Sequence, residues 1–494
     1  MAEQSLKDKT VKGTIWSAAD AFLGQGVTFI VGLVLARLLS PEEYGMIGIV
    51  TIFTTVLLGV VDSGFSQALI RKLKVTEADY STLFIVNMIM SVFMYALLFA
   101  SAPIIARFFE RPQLVGLCRV MGLLLIFQAL SIVQYTILSR RVDFKTKTKA
   151  SVTAAVLSGV IGITMAYMGF GVWALVAQQL SKQLFFSICL WVLNKWWPKL
   201  KFSIESFKYM WGFGWKLLLS VLLNNIWNQL YQTIVGKFYS PATLGQYSRS
   251  KEYAMIFSSN LTSIVQRVSY PVLSQVQEDK TRMVNAYRKV IKTTMFVTAI
   301  IMISMGAIAE PLIYCLIGPQ WHIAATFLPL ICISMSLYPL HAINLNMLQV
   351  QNRTDIFLYL EVIKKVISIG PIFLGIFVDI YWMLIGTIIT GIISFFLNSY
   401  YTGKKLNYTS MMQLKDIAPS YGIAFVIALS VFFFKYLPLS YWIILPLQIV
   451  VGMLVFFVIC EKTKVEEYVE VKSIALQFLK NLKGKSNLND KENL

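Results

Sequence analysis

Between residues 211 and 236, polar side chains interrupt an otherwise apolar run at a fixed interval. Lys216, Ser220, Asn224, Asn228 and Gln232 recur every four positions, with Asn225 and Gln229 beside them. That interval makes one slowly drifting helical face. Lipid tolerates no such stripe, so the face either lines a water-filled path, the preferred reading, or bonds neighbouring helices. The next run carries Arg249, Tyr253, Asn260, Ser263 and Arg267. Arg249 and Arg267 lie five turns apart on one face, roughly 27 Å along the axis. Lys364 follows with Glu361 and Lys365, and Lys182 with Gln178 and Gln183. The i, i+4 pair Glu361 and Lys365 can neutralise itself, which leaves Lys364 without an obvious local partner.

Deep cations therefore outnumber deep acids. Ammonium and guanidinium groups suit an anionic ligand, phosphate above all, and amide and aromatic side chains suit a sugar. Lys216, Arg249, Arg267, Lys364 and Lys182 are the candidate substrate ligands, with Asn224, Asn228, Gln232 and Asn260 as polar lining. Asp20, Asp62 and Glu361 are the acids able to carry a coupling proton or sodium ion; Asp62 can alternatively pair with Arg71. His341, near Asn344 and Asn346, reads as a packing histidine. With two histidines, no Gly-rich phosphate loop and no metal-ligand spacing among Cys118, Cys189, Cys315, Cys332 and Cys460, neither an enzyme nor a metal or other cofactor is expected.

The elements that carry these residues are membrane spans. The chain is 57% hydrophobic and 14% charged, where soluble domains carry about a quarter charged residues. Its 494 residues accommodate about fourteen spans of roughly 20 residues. We place them near 14–38, 45–70, 80–102, 114–138, 151–168, 172–194, 211–236, 246–271, 293–317, 323–349, 356–378, 381–401, 418–437 and 440–460. The net charge of +19 is spread between apolar runs, so nucleic acid is not an expected partner. Every second loop is basic, from Arg71, Lys72 and Lys74 through Arg140, Arg141 and Lys145 to the lysine-rich tail. The positive-inside rule puts both termini in the cytoplasm. The polar start, Met1 to Lys12, precedes an apolar run too long for a cleavable signal. In the tail, Val465, Tyr468, Val469, Ile474, Phe478 and Leu482 suit a helix lying on the inner leaflet, or a frayed end.

A duplicated turn divides the chain. Ser40-Pro41 with Gly45 recurs as Ser240-Pro241 with Gly245, and Trp16 and Trp215 precede the two copies at similar distances. Proline ends one helix and starts the next, and two such turns at matching places suggest the internal repeat common in transporters. The expected fold is all-α and polytopic: two six-helix lobes around a central cavity, plus two C-terminal helices. The lobes would cover 1–194 and 211–401, joined by a cytoplasmic linker at 195–210. Spans 13 and 14 would lie within 402–460 and a cytoplasmic tail within 461–494.

Leu35-Ala36-Arg37-Leu38-Leu39-Ser40-Pro41-Glu42-Glu43-Tyr44-Gly45, Asp62-Ser63-Gly64-Phe65, and Arg267-Val268-Ser269-Tyr270-Pro271 followed by Gln277-Glu278-Asp279 carry a resemblance. The chain resembles the Wzx-type polysaccharide flippases, and within them the colanic-acid-exporter subgroup, of the multidrug/oligosaccharidyl-lipid/polysaccharide exporter superfamily. The resemblance runs from Lys7 to about Lys462. It implies movement of undecaprenyl-pyrophosphate-linked oligosaccharide units across the bacterial inner membrane by alternating access, for surface polysaccharide biosynthesis such as lipopolysaccharide or exopolysaccharide. Implied partners are the lipid-linked substrate, membrane lipids and polysaccharide polymerase or assembly proteins. A multidrug or cation exporter of the same superfamily and a peptidoglycan-precursor flippase are the alternatives; a membrane glycosyltransferase or ligase would need a larger outer loop.

Cysteines placed at Glu42, Glu110 and Ala242 should react with an impermeant thiol reagent from outside the cell, and cysteines at Lys145, Asn285 and Ser410 should not. Labelling of positions 42 and 242 from opposite sides would refute the topology.

Overall fold

The structure is a computed structural model that describes residues 23–62, 64–199, 201–276 and 278–473, without the side chains of 264, 267, 268, 270–272, 354 and 405. Trp16, Asp20, Ser63, Gln277 and the tail from 474 lie outside the described residues. Every regular element among them is helical. Helices α1 to α10 are Gln25–Leu38, Pro41–Asp62, Phe65–Arg71, Glu77–Phe108, Leu114–Met121, Leu123–Arg140, Phe144–Tyr167, Val172–Asn194, Ile204–Phe238 and Pro241–Gln275. Helices α11 to α19 are Lys280–Ala307, Ala309–Ile317, His322–Ser336, Tyr338–Val350, Thr354–Ile367, Ile369–Phe377, Ile380–Leu406, Ser410–Phe432 and Tyr441–Thr463.

Among the described residues, 9 helical stretches are long and apolar enough to cross a membrane, and α1 is a shorter apolar helix. Fourteen spans would require α8, α9, α10 and the pair α15 and α16 to cross as well. Those helices carry the Gln178–Lys182, Lys216–Gln232, Arg249–Asn260 and Glu361–Lys365 groups, and polar side chains lower their apolarity.

Packing groups the chain into two compact units, Met1–Ser248 and Arg249–Leu494. In the first, the Ser-Pro turn is a capping box. The backbone N–H and hydroxyl of Ser40 donate to Glu43 Oε2 at 2.6 and 2.9 Å, and the Glu43 N–H donates back to Ser40 Oγ at 3.3 Å. Thr243 takes the Glu43 position in the second copy, where its N–H donates to Ser240 Oγ at 3.1 Å. The two turns also meet. A Cβ on Gly45 would fall on the carbonyl oxygen of Pro241, and a Cβ on Gly245 on that of Pro41. The starts of α2 and α10 thus cross backbone against backbone, which only glycine permits.

The 195–203 segment is stitched into the same unit. Gln134 Nε2 donates to the Trp196 carbonyl at 2.8 Å, and the Trp196 indole donates to Glu77 at 3.0 Å. The Lys199 and Ser203 N–H groups donate to Ser81 and Thr82 hydroxyls at 3.3 and 2.9 Å. From there α9 packs along α2, α3 and α4, so packing keeps α9 with the first unit whereas the sequence repeat begins its second half there.

The second unit buries Tyr287, Met295, Leu340, Ile343, Met347, Phe395 and Ile417 in one core. Within it Asn344 Oδ1 accepts from the hydroxyls of Tyr287 at 2.7 Å and Thr402 at 2.8 Å, while Asn344 Nδ2 donates to Gln413 at 3.2 Å. Arg288 forks onto Asp416 with two bonds of 2.5 Å, and Tyr408 donates to the same carboxylate at 2.6 Å. The start of the tail packs on the second unit. Tyr468 is buried with Phe296 and Cys460. Lys289 pairs with Glu470 at 2.8 Å and Lys292 with Glu467 at 2.8 Å. Acidic residues interleaved with the apolar stripe find the basic end of α11.

Gly45→Ala and Gly245→Ala should each lower the thermal unfolding midpoint of the detergent-solubilised protein, at a cost of about 2 kcal/mol or more from forced separation of two backbones. Gly212 has nothing within 4 Å of a built Cβ, so Gly212→Ala should leave the midpoint unchanged or raise it. An unchanged midpoint for both crossing variants would refute the close contact.

Candidate functional site

Helix α9 positions the polar stripe. Ser203 starts it, its hydroxyl accepting from the Ser206 N–H at 3.2 Å, and the helix runs 35 residues without proline. Lys216, Ser220, Asn224 and Asn228 are exposed and Gln232 is half-buried. The flanking amides turn inward: Asn225 Nδ2 donates to the Thr55 carbonyl at 3.4 Å, against Gly59, where a Cβ would lie 2.6 Å from that nitrogen. Gln229 Oε1 is buried without a hydrogen-bond partner among the described residues. One side of the stripe is therefore helix-bonding and the other is open. Among the described residues Lys216 has no carboxylate partner, and its ammonium lies 5.9 Å from the Trp215 ring centroid.

The other cations have closer company. Lys182, half-buried on α8, donates to Thr28 Oγ1 at 3.0 Å. In the second unit Arg249 pairs with Glu252 at 2.8 Å. Lys364 pairs with Glu361, which corrects the expectation that Lys365 would take that acid. Glu361 and Lys364 are one turn apart, so the shorter i, i+3 reach wins. Asn260 is exposed on α10. Arg267 lies on α10, but its side chain is outside the described residues. Asp62 accepts from Ser66 Oγ at 2.6 Å, while the Arg71 guanidinium stands 5.5 Å from the Phe213 ring centroid. His341 Nδ1 lies 3.5 Å from Asn398 Nδ2, among helices α14 and α17. No group of three or more potential metal ligands occurs among the described residues.

Sequence reasoning missed two arrangements. One is the Arg288–Asp416–Tyr408 cluster, whose acid sits in the first two turns of α18, ahead of where the apolar run was placed. The other is an open pocket of about 660 Å³ lined by Ala68, Arg71, Lys72, Leu73, Lys74, Tyr209 and Phe213. Tyr209, Phe213 and Lys216 fall at i, i+4 and i+7, so following the stripe towards the start of α9 would have found it.

Residues 34–326 match the polysaccharide biosynthesis protein family. The succinoglycan biosynthesis transport protein ExoT of Rhizobium meliloti is 28% identical over 327 residues, 66% of this chain and 66% of that protein, just under two thirds of its length. The teichuronic acid biosynthesis protein TuaB of Bacillus subtilis is 24% identical, over 72% of this chain and 74% of the relative. The lipopolysaccharide biosynthesis protein WzxC of Escherichia coli is 21% identical, over 75% and 76%. Among solved structures, the lipid II flippase MurJ aligns with a TM-score of 0.67 at 17% identity, covering 91% of this chain and 97% of that one. A multidrug resistance MATE transporter aligns with a TM-score of 0.61 at 16% identity, covering 81% and 99%. The fold is that of these membrane transporters, and the chain belongs to the polysaccharide biosynthesis protein family.

Proposed function

We propose that this multi-pass membrane protein translocates undecaprenyl-pyrophosphate-linked oligosaccharide units across the bacterial inner membrane by alternating access, with both termini cytoplasmic. Family membership and a flippase-like fold support a flippase or exporter that is not an enzyme. The observation that carries the substrate class is the exposed stripe of α9, headed by a lysine with no carboxylate partner among the described residues. A pyrophosphate leaving water needs charge-assisted hydrogen bonds in compensation, and an amide face offers a sugar exchangeable bonds. Lys216, Arg249, Arg267, Lys364 and Lys182 are the proposed ligands, with Asn224, Asn228, Gln232 and Asn260 as lining. Pairing of Arg249 with Glu252 and Lys364 with Glu361 makes Lys216 the foremost of them. A lipid tail can stay in the bilayer while the head crosses.

The two lobes defined by the repeat, with the Ser40-Pro41 and Ser240-Pro241 turns at their outer ends, are the proposed moving parts. Asp20, Asp62 and Glu361 are the proposed coupling acids. Consumption of the lipid-linked unit by a polymerase on the far side would also let flux run downhill with no ion. A multidrug or cation exporter is the competing reading; a cation substrate would favour unpaired acids in the lining, and the cations along these faces disfavour it.

In cells that depend on this protein for surface polysaccharide, Lys216→Gln should abolish export with protein abundance near normal. Arg249→Gln should do the same, and Lys435→Gln should export as the native protein does. Normal export from charge-neutral variants of Lys216, Arg249, Arg267 and Lys364 alike would overturn the cationic substrate site.

A further inference from the structure

We infer that the pocket between the end of α3 and the first turns of α9 is a docking site for a lipid-borne pyrophosphate, formed by Arg71 and Lys74, where the substrate head group is loaded before it reaches Lys216. The inference rests on the lipid-linked substrate proposed above.

The pocket is held in shape from behind. Arg140 reaches across from α6 and donates to four carbonyls at and just beyond the end of α3: Leu69, Ile70 at 3.1 Å, Lys72 at 2.6 Å and Leu73 at 3.3 Å. Leu69 and Ile70 are among the last four carbonyls of α3, where helical bonding runs out, and Lys72 and Leu73 follow the helix end. With the backbone fixed, the direction of each side chain is set. Lys72 turns to the buried Asp79 at 2.7 Å, and Asp79 in turn closes a capping box with Thr76. Lys72 is therefore neutralised. Arg71 and Lys74 are exposed, and among the described residues neither has a carboxylate partner. Two cations are left over in an open pocket whose other wall is aromatic: Tyr209 lies 5.1 Å from the Lys72 ammonium and Phe213 5.5 Å from the Arg71 guanidinium.

Three features select the ligand. Two surplus cations match a pyrophosphate diester, which carries one charge on each phosphoryl group, better than a phospholipid with a single phosphodiester. Apolar side chains line the pocket beside the cations: Leu73 is 96% exposed, and Tyr209 and Phe213 form the facing wall. Leu73 between two cations suits an amphiphile at the membrane interface rather than a free anion. Finally, Tyr209 and Phe213 lie on the helical face that continues through Lys216, Ser220 and Asn224. Phe213 to Lys216 is one turn, so a head group held at the pocket is about 5 Å along the axis from the next cation.

The test uses the full chain in phosphatidylcholine nanodiscs and a fluorescent polyprenyl-pyrophosphate-linked disaccharide as probe. Arg71→Gln/Lys74→Gln should bind the probe at least about tenfold more weakly than the native protein, and Lys435→Gln should bind it equally. Both altered side chains are exposed, so the unfolding midpoint should not move; if the double variant unfolds, Lys74→Gln alone provides the same comparison with a severalfold loss. Native affinity in these variants overturns the docking site and leaves the flippase reading in place. Absence of probe binding by the native protein overturns both. Displacement of the probe by phosphatidylglycerol in the disc, or by inorganic pyrophosphate at equal concentration, shows a site for any anionic head group or for a free anion and overturns the assignment.

Discussion

The first unit depends on one close approach. Pro41 and Gly45 at the start of α2 meet Pro241 and Gly245 at the start of α10, each glycine under the other proline's carbonyl. No side chain fits there. Proline fixes the entry angle of each helix, and glycine lets the partner's carbonyl come within backbone contact. Because α9 leads directly into this turn, its orientation follows from the crossing. So does the orientation of the stripe on its exposed face, and of the pocket wall formed by Tyr209 and Phe213.

The sequence made the two turns visible because proline and glycine are punctuation with steric meaning. It could not show that they touch, since a pair of turns 200 residues apart in sequence carries no record of contact. The polar stripe of α9 was equally legible, for Lys216, Asn224 and Asn228 break an apolar run at helical spacing. Partner choice was less so. Glu361 has lysines at i+3 and i+4, and only coordinates decide between them. Asp416 escaped notice because its partners, Arg288 and Tyr408, are supplied by a different helix and a turn. The 195–210 stretch reads as a linker by composition, and the Trp196 carbonyl and the Lys199 and Ser203 N–H groups within it are bonded to α6 and α4. Loops of this kind are ordered by where their N–H and C=O groups go, not by their hydrophilicity.

The distribution of charge separates structure from binding. Arg288, Lys72, Lys289 and Lys292 are all held by carboxylates and act as clamps between helices or on the tail. Lys216, Arg71 and Lys74 have none among the described residues, and all three lie exposed along or beside one face of α9. A cation held by a carboxylate is already compensated and gains little from a ligand. An exposed cation on a polar face retains its full capacity to bind an anion. That contrast, more than the net charge of +19, is what the proposed anionic cargo rests on.

The most direct measurement is transfer itself. Purified protein is reconstituted into sealed vesicles, a fluorescent polyprenyl-pyrophosphate-linked oligosaccharide is placed in the outer leaflet, and the fraction protected from a membrane-impermeant quencher is followed in time. Native protein is predicted to bring the probe into the protected leaflet, with Lys216→Gln protein at the same density giving the rate of empty vesicles. Equal rates for native protein and empty vesicles, alongside protein-dependent uptake of a lipophilic cation in the same preparation, would contradict the assignment of a lipid-linked oligosaccharide as the substrate.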